Sequence, residues 1–103
     1  MAGKITRITL FKIPDEESQN KVLSFYREMP HKAVKNGQPY ITSVKAGLAV
    51  ADQRAQGFTV AAVSTFASEE DMAYYDNECA AHAELKAFAK NAHQGFAMVY
   101  FRD

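Results

Sequence analysis

The sequence predicts an α+β fold, a four-stranded antiparallel sheet with helices on one face. Three observations carry this. Apolar periodicity switches between strand and helix spacing in the order strand, helix, strand, strand, helix, strand. The last strand, Phe96-Ala97-Met98-Val99-Tyr100-Phe101, is apolar on both sides, so both of its faces are expected to be buried. The 103 residues, 48% hydrophobic and 23% charged, suffice for one modest core and one domain spanning 1–103.

Residues 4–13 read as the first strand, with Thr6, Ile8 and Leu10 on one face and Ile5, Arg7, Thr9 and Phe11 on the other. Pro14 ends it, and Asp15 caps a helix whose first turn carries Glu16 and Glu17. Val22, Phe25, Tyr26 and Met29 recur at helical spacing. Pro30 disturbs this helix, a further turn continues through Ala33, and Asn36-Gly37 reads as its stop. A second strand is expected from about Tyr40 to Leu48, then a polar loop over Asp52 to Gly57.

The third strand, Phe58 to Phe66, sets Val60, Ala62, Ser64 and Phe66 against Thr59, Ala61, Val63 and Thr65. Its small residues fit two arrangements, open space beneath the helices or a closely packed helix. Ser68, with Asp71 three places on, opens a helix expected to reach Asn77, break near Cys79 and resume to Ala92. Leu85, Phe88, Ala89 and Ala92 mark its inward stripe, and His93-Gln94-Gly95 turns into the last strand. The order is the ferredoxin-like one.

A domain of this size has helices for only one face of its sheet. The face carrying Ile8, Leu10, Val63, Val99 and Phe101 is therefore assigned to a second copy of the chain, a homodimer. Phe96, Met98 and Tyr100 are assigned to a cavity beneath the helices.

Twelve basic and twelve acidic residues cancel, which removes the electrostatic case for nucleic acid or an anionic membrane. No segment reads as a signal peptide or a membrane span. The lone Cys79 makes no internal disulfide, and no Cys/His spacing suggests a metal. There is no glycine-rich phosphate loop and no nucleophile elbow. A cytoplasmic protein without a cofactor is expected.

His82 is the first candidate for chemistry. It shares a helical face with Leu85 and Ala89, and Tyr75 lies seven residues earlier. Two readings fit: a proton-transferring pair in a pocket, or a buried imidazole satisfied by a backbone carbonyl beside a core tyrosine. Arg7 stands on an otherwise apolar face, either as a clamp for an anion or carbonyl or as a strand-end arginine whose head reaches water. Around these, Thr9, Phe11, Tyr26, Ala62, Ser64, Phe66, Leu85, His93, Phe96 and Met98 are expected to surround a small apolar ligand.

The opening strand running into Phe11-Lys12, the stretch from Gly57-Phe58-Thr59 to Thr65-Phe66-Ala67-Ser68, Tyr75, and Ala81-His82 before an amphipathic helix together span nearly the whole chain. In these features the chain resembles the stress-responsive dimeric α/β-barrel family, which includes the plant olivetolic acid cyclase. A His-Pro-x-His segment is common there. Here Asn77-Glu78-Cys79-Ala80-Ala81-His82 keeps only the final histidine and is one residue longer, a variant that looks like a fungal branch.

The resemblance implies a dimer of ferredoxin-like chains, each keeping a cavity between sheet and helices. It implies cofactor-free intramolecular aldol chemistry on a linear polyketide, with His82 and Tyr75 in the catalytic positions. A strand-one histidine of the cyclase pocket falls at Arg7, which alters what the pocket accepts. Two other roles stay open: a ligand-binding or stress-protective protein without turnover, and a cofactor-free oxygenase.

Overall fold

A computed structural model describes residues 3–103. β1 (Ile5–Phe11) leads to α1 (Glu16–Lys32), whose first turn is closed by Ser18 N–H donating to the Asp15 carboxylate at 2.9 Å. Pro30 does not break α1. It lies in the last turn, where its fixed φ suits a helix and only one backbone bond is forgone. The helix ends instead because Ala33 turns extended. Asn36-Gly37 is not a helix stop. With φ of 53° and 77° the two residues form the tight turn between β2 (Val34–Lys35) and β3 (Gln38–Pro39), where both central positions must be left-handed.

β4 (Ile41–Leu48) is joined through a single 3-10 turn at Gln53–Ala55 to β5 (Val60–Phe66). The Ser68 hydroxyl then accepts from Asp71 N–H and starts α2 (Glu69–Asn77), followed by α3 (Ala80–Ala92) and β6 (Phe96–Arg102). The large sheet runs in the order β4-β5-β1-β6, antiparallel throughout.

Register assigns the two faces. Arg7 lies between Ser64 and Tyr100, Thr9 between Ala62 and Met98, and Phe11 between Val60 and Phe96. These rows look toward the helices. Residues alternating with them form the opposite rows: Val63–Ile8–Val99, Ala61–Leu10–Ala97 and Thr65–Thr6–Phe101. The core lies on the helix side, where Ile5, Ile13, Val22, Met29, Val60, Phe66 and Leu85 are sealed. Among the described residues no helix is long and apolar enough to cross a membrane.

In the single chain the last strand is exposed on both sides: the outer face is the one assigned to a second copy, and the helix-side cover expected for Phe96, Met98 and Tyr100 is incomplete. β6 is an edge strand, with Phe96, Met98 and Tyr100 exposed on one side and Val99 and Phe101 on the other. The reason is coverage. α1 packs chiefly over β4 and against α3, and the helices do not extend across β6. A trough is left between α3 and the β1–β6 edge, and the outer face carries no helix.

Candidate active site

The break between α2 and α3 builds the site. In one continuous helix, residues 75 and 82 would stand about 10 Å apart along the axis. Here the chain turns at Glu78 and Cys79, and α3 folds back so that the Tyr75 and His82 rings stack. Their centroids are 3.6 Å apart and their planes differ by 10°. Phe66 supports Tyr75 from behind, with centroids 5.2 Å apart. The two candidate residues meet by this return of the chain rather than by sharing one helix face.

A helix end leaves its last carbonyls without partners, and α3 supplies them. The Tyr75 carbonyl accepts from His82 Nδ1 at 2.8 Å, and the Asp76 carbonyl accepts from Lys86 Nζ. A carbonyl only accepts, so the neutral imidazole carries its proton on Nδ1 and a lone pair on Nε2. Nε2 has no hydrogen-bond partner among the described residues. It is also not sealed, since the sealed, unpaired side-chain atom among them is the Tyr40 hydroxyl. The lone pair therefore opens on the cavity that His82 lines. Burial pushes the His82 pKa down to about 4, outweighing the opposing bond to the Tyr75 carbonyl, and the ring is neutral at pH 7.

The cavity measures about 490 Å³ and is lined by Arg7, Thr9, Phe11, Tyr26, Asp76, His82, Leu85, Lys86, Ala89, Lys90, His93, Phe96 and Met98. This brings together Arg7, Thr9, Phe11, Tyr26, His82, Leu85, His93, Phe96 and Met98 from the sequence-based set. Tyr75, Ala62, Ser64 and Phe66 lie outside the lining and are buried. Tyr75 and Phe66 are stacked behind the imidazole. Ala62 and Ser64 are small because α1 and α2 pack on β5, the closely packed arrangement rather than the open one. Tyr100, on the helix side of β6, is exposed and also outside the lining.

Tyr26 is the tyrosine of the cavity wall. Burial raises its pKa to about 12 against the pull of the Arg7 charge, so its hydroxyl stays a donor. At the other end of α3, Gly95 N–H donates to His93 Nδ1 at 3.0 Å, placing the proton of a neutral ring on Nε2. The His93 ring packs between Phe11 and Phe96, at 5.9 and 5.5 Å.

Arg7 does not send its head into water. Its side chain is 11% exposed, and Nη1 donates to both Asp76 carboxylate oxygens at 2.8 and 2.9 Å. The guanidinium carbon lies 5.5 Å from the Tyr75 ring centroid. Asp76 Oδ1 is 3.8 Å from His82 Nδ1, beyond hydrogen-bond reach, so the carboxylate is paired with Arg7 and leaves the neutral imidazole to the Tyr75 carbonyl. Asp76→Ala would strand the Arg7 charge. The expected loss is about 2 kcal/mol in urea unfolding, less than a fully buried pair because Asp76 keeps part of its side chain in water. An unchanged midpoint would show that Arg7 finds water without its partner.

Sequence reasoning missed Asp76, Lys86 and Lys90. The lysines fall four and eight residues after His82, on its own helical stripe, and that spacing was available to read. Asp76 had no such signal, because the break that turns it toward Arg7 is tertiary. Among the described residues no group of three His, Cys, Asp or Glu is placed to hold a metal ion.

Residues 5–101 match the stress responsive A/B barrel domain family, Dabb. The chain belongs to this family. It is 39% identical over 103 residues, 99% of its own length and 75% of the relative's, to a "Fusaristatin A biosynthesis cluster protein" of Gibberella zeae. Among solved structures it resembles a hydroxynitrile lyase from Passiflora edulis with a TM-score of 0.82, at 17% identity over 100% of this chain and 95% of that one. It also resembles a dimeric ferredoxin-like protein of unknown function from Thermobifida fusca, with a TM-score of 0.80, at 18% identity over 100% and 93% of the two chains. These likenesses establish the ferredoxin-like α+β fold of this Dabb chain.

Proposed function

We propose that this Dabb chain is a cofactor-independent cyclase or lyase for a small, poly-carbonyl substrate, acting as a cytoplasmic homodimer. One observation carries the reading: Nδ1 of His82 is pinned to the Tyr75 carbonyl, so a bare Nε2 faces an apolar cavity. His82 is the general base. Nε2 takes a proton from a carbon between two carbonyls, and the C–H electron pair enters an enolate. The enolate carbon attacks a second carbonyl of the same molecule. The alkoxide formed recovers the proton from the imidazolium.

Tyr26 supplies a neutral O–H to the developing oxyanion, and Arg7 offers the guanidinium N–H groups not used by Asp76. Tyr75 positions the imidazole by stacking and through its carbonyl. Phe11, Leu85, Phe96 and Met98 provide the apolar walls. The place of the Gibberella zeae relative in a biosynthesis cluster supports small-molecule chemistry, and the Passiflora edulis lyase supports this fold as a host for it. The dimeric Thermobifida fusca neighbour supports pairing, and the exposed apolar residues Val63, Val99 and Phe101 favour the helix-free sheet face for it.

The test is the pH dependence of kcat/KM on a linear poly-β-keto substrate. Protonated His82 has no lone pair to offer, so the rate is expected to fall only as pH drops through about 4, well below the ordinary histidine value of about 6.5. No turnover, or an acid limb at the ordinary value, overturns the assignment.

A further inference from the structure

The chain as a whole is electrically balanced, but its cavity is not. Among the lining residues Arg7, Lys86 and Lys90 are cationic, and Asp76 is the one carboxylate. Asp76 is committed to Arg7 at the His82 end of the trough. Lys86 and Lys90 are left along the open side, both exposed, and neither ion-pairs with an acidic side chain among the described residues. Lys86 uses one N–H on the Asp76 carbonyl, which leaves two.

Their spacing on α3 sets two like charges side by side, although Lys90 also suits the negative end of the helix. The two lysines are each other's i,i+4 neighbours, and like charges at that spacing repel. No Asp or Glu stands three or four residues from either one to relieve it. The same stripe of α3 carries Leu85 and Ala89 into the apolar part of the cavity. An anion between the two ammonium groups, attached to an apolar chain, would satisfy both features.

We infer that the cavity takes an amphiphilic acid, its carboxylate held between Lys86 and Lys90 and its apolar body running inward to His82. This rests on the reading of the cavity as the substrate site and names the substrate's class. Lys86 Nζ sits on the Asp76 carbonyl, next to the Tyr75 carbonyl that holds His82, so the carboxylate end lies beside Lys86 and toward Lys90, one turn further along α3 from His82.

Binding of decanoate, decan-1-ol and decylammonium is measured by calorimetry on the intact protein at low ionic strength. Decanoate is expected to bind about tenfold more tightly than the alcohol, the size expected of two partly solvated charge contacts acting together. Decylammonium is expected to bind most weakly. The preference should shrink with added salt and vanish in Lys86→Gln/Lys90→Gln, while Lys86→Arg/Lys90→Arg should keep it. Equal binding of acid and alcohol, or a preference that survives the double glutamine variant, overturns the inference and leaves the proposed chemistry standing. Failure of all three probes to bind overturns the cavity as a ligand site, and with it both readings. An intact acid preference in a protein without turnover overturns the catalytic reading alone.

Discussion

Replacing His82 with glutamine or alanine is expected to lower turnover of a poly-β-keto substrate by about 10²–10⁴-fold, the range typical of losing a positioned general base. Glutamine is the sharper variant, because it keeps a polar side chain of similar length at the buried position while the Nε2 lone pair is lost. A second readout separates the base from a structural imidazole. In the folded chain the His82 pKa is about 4, whereas an unfolded histidine titrates near 6.5. As pH falls through this window the unfolded chain binds the proton first. The stability from a buried neutral imidazole is complete above about pH 6.5 and is lost progressively toward pH 4, by up to about 3 kcal/mol. His82→Gln should lack this component, so its thermal midpoint should change less over the same range. Full turnover in His82→Gln would sink the base assignment. If the variant also lost midpoint at every pH, His82 would stand as a cap for α2 and nothing more.

The contrast between what was readable and what was not follows from the range of the interactions involved. The two faces of β1 and β5 were legible because strand alternation is a local rule, and the register bears out both sets. The caps at Asp15 and Ser68 and the interruption near Cys79 were legible for the same reason. Asn36-Gly37 was misread because the pair suits both a helix end and a tight hairpin. Only Ala33, already extended three residues earlier, decides between them. On β6 the helix-side cover was over-read at Tyr100, because apolar alternation shows which face a residue takes and not how far the helices reach across it.

At the site, His82 and its wall of Leu85, Phe11, Phe96 and Met98 followed from helical and strand spacing. The stacking of Tyr75 behind the imidazole, out of the wall, and the Arg7–Asp76 pair did not. Each depends on the angle at which α3 turns back on α2, which no single segment encodes.

Val99→Asp is expected to convert the protein from dimer to monomer in sedimentation velocity at concentrations where the unaltered chain is paired. Val99 ends the central row Val63–Ile8–Val99 of the helix-free sheet face and is 62% exposed in the single chain. Phe101 and Val63 stand exposed beside it, and Ile8 and Leu10 are only half-buried. In a two-fold pair the same patch is used twice, so one substitution brings in two carboxylates. Each would lose its water in an apolar contact, a penalty of several kcal/mol per ion. That exceeds what one apolar side chain contributes to an interface, so the pair should separate rather than adapt. Met98→Asp is the matched control. It sits one residue away but faces the cavity, so it should leave the dimer intact while weakening the binding of apolar ligands. A stable Val99→Asp dimer would mean that the chains meet elsewhere. Dissociation by Met98→Asp instead would place the contact on the helix side of β6, across the open edge of the cavity itself.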